Sequence, residues 1–191
     1  MILAHPSEFV HGLDERELTN PEGAGFDLRV DRLWTLSTVD AEYLSIAEHP
    51  GAEVPGSLTV ETRRTPLAQE YHTGPIGWAG PDDGYYYLVS GRYYLITTLE
   101  EVQVPEDALG LIWPRTTLMR SGVTLETGVV NPGYHGRLTM GIHHHGPGLF
   151  RLQPGARFCH ILFFSVTGAT GAYRGQWQGG RVSQPEDEVQ V

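Results

Sequence analysis

Short β-forming stretches broken by turn residues fill the second half of this chain and restrict it to a fold built from sheets. Residues 85–89 (Tyr-Tyr-Tyr-Leu-Val) and 92–98 (Arg-Tyr-Tyr-Leu-Ile-Thr-Thr) are dense in aromatic and β-branched residues. They flank Ser90-Gly91, a hairpin signal. Residues 101–104 and 109–112 continue as strands around Pro105-Glu-Asp, and further strands are expected at 137–145, 149–152 and 158–166. The chain holds 24 glycines and 13 prolines, which suit frequent turns better than long helices. Close spacing of this kind predicts a barrel or a jelly-roll sandwich with very little helix. One or two helical turns are expected at Leu13–Leu18, ended before Pro21, and a strand follows over residues 22–30.

At 191 residues the chain suits one domain with a real core. That domain is expected over residues 1–171, with 40–84 as an irregular insertion punctuated by prolines and carrying edge strands such as Ser57-Leu-Thr-Val-Glu61. Residues 172–191 read as a mobile, Gly-rich tail. The net charge of -10 argues against nucleic acid as a partner, because phosphate backbones need a basic face. The single cysteine, Cys159, lies in an apolar run and reads as a core thiol, which suits a reducing compartment. With no basic segment leading into an apolar run and no stretch of membrane-spanning length, the expected location is the cytoplasm.

Most of the legible chemistry sits at residues 113–137. Arg115 and Arg120 bracket the hydroxyls of Thr116 and Thr117. Planar guanidiniums match paired oxygens and hydroxyls add neutral donors, so the group suits a polyanion such as a triphosphate. Val129 and Val130 then run into Asn131-Pro132-Gly133 before Tyr134 and Gly136, a second hairpin candidate. Free backbone groups beside an aromatic there would hold a small planar base and its sugar. A triphosphate would approach against the overall negative field, so Mg²⁺ is expected to travel with it.

Pro114-Arg-Thr-Thr-Leu-Met-Arg-Ser-Gly122, then Asn131-Pro-Gly-Tyr-His-Gly136, resembles the homotrimeric dUTP diphosphatase and dCTP deaminase family, most of all its archaeal-type dUTPase branch. The family pattern is Pro-Arg-Ser-Ser-Leu-x-Arg-x-Gly, a spacer, and Asp-Pro-Gly-Tyr-x-Gly. The strand at Gly25-Phe-Asp-Leu-Arg-Val30 matches an early family strand. Tyr173 to Gly179 is similar to the family's mobile segment Tyr-x-Gly-x-Tyr-Gln-Gly, with Trp177 for Tyr and Gln178 retained. The resemblance spans about residues 22–36 and 85–182. It implies a distorted jelly roll of the dUTPase-like type, a homotrimer with sites between subunits, and Mg²⁺-dependent release of pyrophosphate from a deoxypyrimidine triphosphate. By the same resemblance, Arg115, Thr116, Thr117, Arg120 and Gln178 hold phosphate. Gly128 to Val130 read the pyrimidine edge through their backbone, Tyr134 packs under the deoxyribose, and Trp177 covers base or ribose.

Two departures bear on mechanism. The family's water-orienting Asp is Asn131, whose amide keeps the shape but takes no proton, and Glu126 in the same segment is a candidate relocated base. A deaminase of this family needs a glutamate at the position matched by Gly141. The alternatives to a dUTP diphosphatase-like reaction are therefore a dCTP deaminase or modified-pyrimidine enzyme, and a nucleotide-binding regulator without turnover. His143 and His145 share a strand face and His160 follows on a later strand, which leaves a metal reading open. The resemblance implies instead that His145-Gly-Pro147 matches the His-Asn-Pro or similar turn with which the family's strand commonly continues.

Overall fold

The computed structural model describes residues 1–36, 62–63, 68–71, 84–168, 170–183 and 188–189. The insertion expected at 40–84, with its strand at 57–61, lies almost wholly outside the described residues. The strands are β1 (Ile2–Leu3), β2 (Val10–His11), β3 (Phe26–Leu36), β4 (Thr62–Arg63), β5 (Ala68–Tyr71), β6 (Tyr86–Val89) and β7 (Tyr93–Gln103). They continue as β8 (Ala108–Pro114), β9 (Val123–Glu126), β10 (Val129–Val130), β11 (His135–His144), β12 (Leu149–Leu152), β13 (Arg157–Ser165) and β14 (Glu188–Val189). The principal sheet runs β10-β8-β13-β3-β7-β11-β9, with β1, β2 and β5 attached at its margins. It curls into a half-barrel of the jelly-roll type expected from the sequence.

All the expected strands from residue 85 onward form, but the expected hairpins do not. Ser90-Gly91 makes a turn, with Gly91 at φ 78° and the Arg92 amide donating to the Val89 carbonyl at 3.2 Å. Its arms then part: β6 pairs with β12, while β7 pairs with β11, β3 and β2. The Pro105 turn behaves alike, sending β7 and β8 to different neighbours. The Asn131-Pro-Gly turn leads from β10, paired with β8, into β11, paired with β7 and β9. Among the described strands, none pairs with its immediate successor in the chain. Consecutive strands usually neighbour one another, so this connectivity is the part that local sequence cannot encode.

Alternation fills the interior between the curled faces. Phe26, Leu28, Leu33, Tyr94, Ile96, Ile142, Phe158, Ile161 and Phe163 are all fully buried, contributed by β3, β7, β11 and β13. Cys159 is buried among them as expected, and burial pushes its thiol well above the usual range, with Glu100 adding to the effect. A short helix α1 (Glu15–Thr19) forms where helical turns were expected, its N-terminus capped by the Asp14 carboxylate on the Arg16 amide. A second helix, α2 (Thr116–Arg120), was not anticipated; the Ser121 amide closes it onto the carbonyls of Thr117 and Leu118. No described helix is long and apolar enough to cross a membrane.

Candidate functional site

The site forms where the curl of the sheet brings β10, one end of the strand order, close to β11, near the other. The link between them is Asn131-Pro132-Gly133-Tyr134. Proline at the second position, glycine at the third with φ 76°, and the Tyr134 amide donating to the Asn131 carbonyl at 3.1 Å have the character of a type II turn. The turn is pinned to Val104, whose carbonyl accepts from Gly133 N–H and whose amide donates to Tyr134, both at 2.9 Å. Tyr134 is buried beneath it, and its hydroxyl donates to the Arg137 carbonyl at 2.6 Å. Burial raises this phenol to about 12, with Tyr173 adding to the effect, so the proton stays on oxygen.

Because β10 and β11 diverge, a cavity of about 480 Å³ opens beside the turn. Asn131, Glu126, Gly128, Val130, Tyr134 and Trp177 all line it. Six of the candidate residues, scattered over fifty positions, thus meet at one place. Leu95, Ile112, Leu138 and Met140 give the cavity an apolar floor. Tyr93, Thr139 and Arg181 also line it, and none of the three was singled out as a site residue from the sequence. The Thr139 hydroxyl is buried there and has no hydrogen-bond partner among the described residues.

The tail lies along this turn. The Tyr173 amide donates to Pro132 O at 2.7 Å and the Gly179 amide to His135 O at 2.9 Å. The Gln178 side chain clips both sides of the turn, donating from Nε2 to Gly133 O at 3.0 Å and accepting the His135 amide at Oε1 at 3.2 Å. Tyr173 meets Tyr134 edge to face, with ring centroids 5.5 Å apart. Gln178 therefore holds the tail in this conformation, and Tyr173 and Trp177 are the tail aromatics that line the cavity. Gly136, at φ 124°, makes the approach possible: a Cβ there would meet the backbone of Gly179 and Gly180 at 2.6 Å. Gly136→Val is expected to detach the tail. Amide hydrogen exchange at Gly179 would then lose its protection, whereas unchanged protection would show that the close approach is dispensable.

Tyr93 and Glu126 meet in the cavity lining. The Tyr93 hydroxyl donates to Glu126 Oε2 at 3.0 Å and lies over Gly141, where a Cβ would be 1.9 Å from that oxygen. Burial, then the bond to Glu126, pushes the Tyr93 phenol up to about 12. The register that brings Tyr93 to this place is long-range: Gly141 stands opposite Leu95 on β7 and opposite Glu126 on β9.

The phosphate-type group lies elsewhere. Arg115, Thr116, Thr117 and Arg120 do not line this cavity; Thr116, Thr117 and Arg120 are exposed on α2. Arg115 is half-buried and its guanidinium is engaged by the Asp27 carboxylate. Asp27 is 3% exposed and also receives Arg157 at 3.2 Å and His160 Nδ1 at 2.9 Å. Burial lowers the His160 imidazole from its ordinary value, with Arg115 adding to the effect and Glu17 opposing it. His160 is thus bound into an ion-pair cluster. The His143 and His145 rings lie against each other at a tilt of 49°, 3.9 Å between centroids, and among the described residues no three His, Cys, Asp or Glu side chains gather as metal ligands would. Trp113 and Met119, beside the exposed hydroxyls, are 48% and 65% exposed.

The sequence model of the dCTP deaminase-like family matches residues 58–166. A protein of Methanothermobacter thermautotrophicus named a probable deoxyuridine 5′-triphosphate nucleotidohydrolase is 32% identical over 165 residues, covering 86% of this chain and 91% of its own. A dCTP deaminase of Pyrobaculum calidifontis is 38% identical over 94 residues, 49% of this chain and 53% of that one. Among solved structures, the 2′-deoxycytidine 5′-triphosphate deaminase of Agrobacterium tumefaciens aligns over 85% of this chain and 47% of its own, with a TM-score of 0.51 and 16% identity. The chain spans about half the length of these last two relatives, and at that identity the structural likeness speaks for the fold alone.

Proposed function

Since this chain belongs to the dCTP deaminase-like family, we propose that it hydrolyses a deoxypyrimidine nucleoside triphosphate to the monophosphate and pyrophosphate, by a reaction of the dUTP diphosphatase type. The observation that carries the reading is the cavity between β10 and β11, of a size that suits a nucleoside and lined at once by the turn, Tyr134 and Trp177. In this reading the sugar lies against Tyr134, the backbone of Gly128 to Val130 meets the pyrimidine edge, and Trp177 covers the ligand. The Asn131 carbonyl oxygen aligns the attacking water and the sugar hydroxyl.

Phosphate charge is held by Arg120, Thr116 and Thr117. Because α2 does not line the cavity of its own chain, these groups come from another copy in a homotrimer. The exposed Trp113 and Met119 beside them are suited to such a contact. Arg115, engaged by Asp27, fixes the start of the helix that presents them. Mg²⁺ would ride on the triphosphate oxygens, since the described residues offer no cage of ligands, and would neutralise phosphate charge there.

Deamination by the family route is disfavoured on steric grounds, because the Tyr93 hydroxyl fills the space that a side chain at position 141 would need. A regulator that binds without turnover remains the second reading, favoured by Asn131, which cannot accept a proton. A panel of deoxynucleotides, followed separately for pyrophosphate and ammonia, separates the readings. Pyrophosphate supports the diphosphatase, ammonia the deaminase, and tight binding with neither product the regulator. Arg120→Ala is expected to weaken triphosphate binding about 10- to 100-fold, the value of hydrogen bonds to a charged group. Unchanged affinity in calorimetry would remove Arg120 from the site.

A further inference from the structure

We infer that Tyr93 and Glu126 form the base-selecting element of the cavity, favouring a pyrimidine that carries an exocyclic amino group over one with a carbonyl at the same carbon. The inference rests on the proposed nucleotide site and adds to it the class of base and the residues that choose it.

The element is built across three strands. Gly141 on β11 has Leu95 of β7 on one side and Glu126 of β9 on the other, while His143, next on the same face, stands opposite Tyr93. Tyr93 leans diagonally over the glycine, meeting His143 edge to face with centroids 6.3 Å apart, and reaches Glu126 beyond it. Only glycine leaves room for this bridge: a Cβ at 141 would be 1.9 Å from the hydroxyl oxygen and 2.6 Å from the ring carbon bearing it. The missing side chain on the middle strand and the pair spanning it are thus one feature.

The hydrogen-bonding capacity of the pair fixes what it can recognise. A phenol has one proton, and Tyr93 donates it to Glu126 Oε2. The pair then offers a ligand only acceptors: the phenol oxygen's lone pairs and Glu126 Oε1, which has no hydrogen-bond partner among the described residues. A phenol held near 12 keeps its proton at any physiological pH, so the carboxylate remains the acceptor. An exocyclic amino group carries two hydrogens and satisfies two adjacent acceptors. Uracil instead has a single ring N–H between two carbonyl oxygens, and those oxygens would be set against the acceptors. The Thr139 hydroxyl also lines the cavity, has no hydrogen-bond partner among the described residues, and as a group able to donate or accept suits the ring nitrogen beside the amino group.

The test measures equilibrium binding of the non-hydrolysable α,β-imido analogues of dCTP and dUTP, with Mg²⁺ at pH 7, to the full chain and to Glu126→Gln and Tyr93→Phe. Inorganic tripolyphosphate serves as a probe of the phosphate groups. The expected result is a preference of about 10- to 100-fold for the cytosine analogue, the value of one well-matched base contact. Glu126→Gln, which places a donor on the wall, should bring the two analogues to within about 3-fold while leaving tripolyphosphate affinity unchanged. Tyr93→Phe should reduce the preference by releasing Glu126. Equal or tighter binding of the uracil analogue by the full chain, or a preference that survives Glu126→Gln, overturns base selection and leaves the nucleotide site standing. Binding of neither analogue overturns both.

Discussion

Asn131→Asp is expected to raise the rate of pyrophosphate release about 10²- to 10⁴-fold, the usual worth of a positioned general base. Asn131 lies in the first position of the Pro132-Gly133 turn and lines the cavity, so a carboxylate there would occupy the same place with an added capacity to take a proton. The turn is fixed by backbone contacts to Val104 that the substitution leaves intact, so the gain should appear in kcat rather than in folding. The variant should also acquire an acidic limb in its pH–rate profile, with activity rising as the new carboxylate ionises and holding level above that. Steady-state pyrophosphate release over pH 4 to 9 checks both. No gain, with kcat lost for every nucleotide on Glu126→Gln, would move the base to Glu126.

The largest stability effect is expected at Asp27. Its carboxylate is buried where Arg115, Arg157 and His160 converge, and Glu17 beside it accepts the Asp27 amide at 2.9 Å and Arg16 at 3.0 Å. Asp27→Ala leaves the Arg115 and Arg157 guanidiniums without their shared counter-charge and the His160 ring without its carboxylate partner. Breaking a buried pair in this way costs about 3 to 5 kcal/mol, and the lower end applies because the guanidiniums are partly exposed. Urea unfolding should show a lower midpoint with an unchanged slope. Because Asp27 holds Arg115 at the start of α2, tripolyphosphate binding should weaken as well. Unaltered stability would mean that the cations find water at no cost, and the cluster would then be a surface feature.

Local chemistry made several elements readable. Ser90-Gly91, Pro105-Glu-Asp and Asn131-Pro-Gly each turn the chain where glycine or proline demands it, and the β-branched and aromatic runs between them become strands. The helical turns expected at Leu13–Leu18 appear as α1, and Cys159 enters the core as its apolar neighbours require. The motif around residues 113–137 was legible because it combines a turn with a cluster of rare side-chain types. Tyr93 was not, since nothing near it in the chain hints that Gly141 will lie under its hydroxyl.

The amino-acid sequence alone determined where the chain turns, which stretches extend and which residues could bear the chemistry, because those properties depend on φ, ψ and side-chain preferences within a few positions. Only the tertiary structure decided which strands become neighbours. That choice separated the arms of both expected hairpins and of the Pro105 turn, opened the cavity between β10 and β11, and set Glu126 beside Tyr93 and Arg115 against Asp27. It depends on how a curled sheet buries its apolar face, a condition on the whole chain at once, so no local stretch of residues contains it.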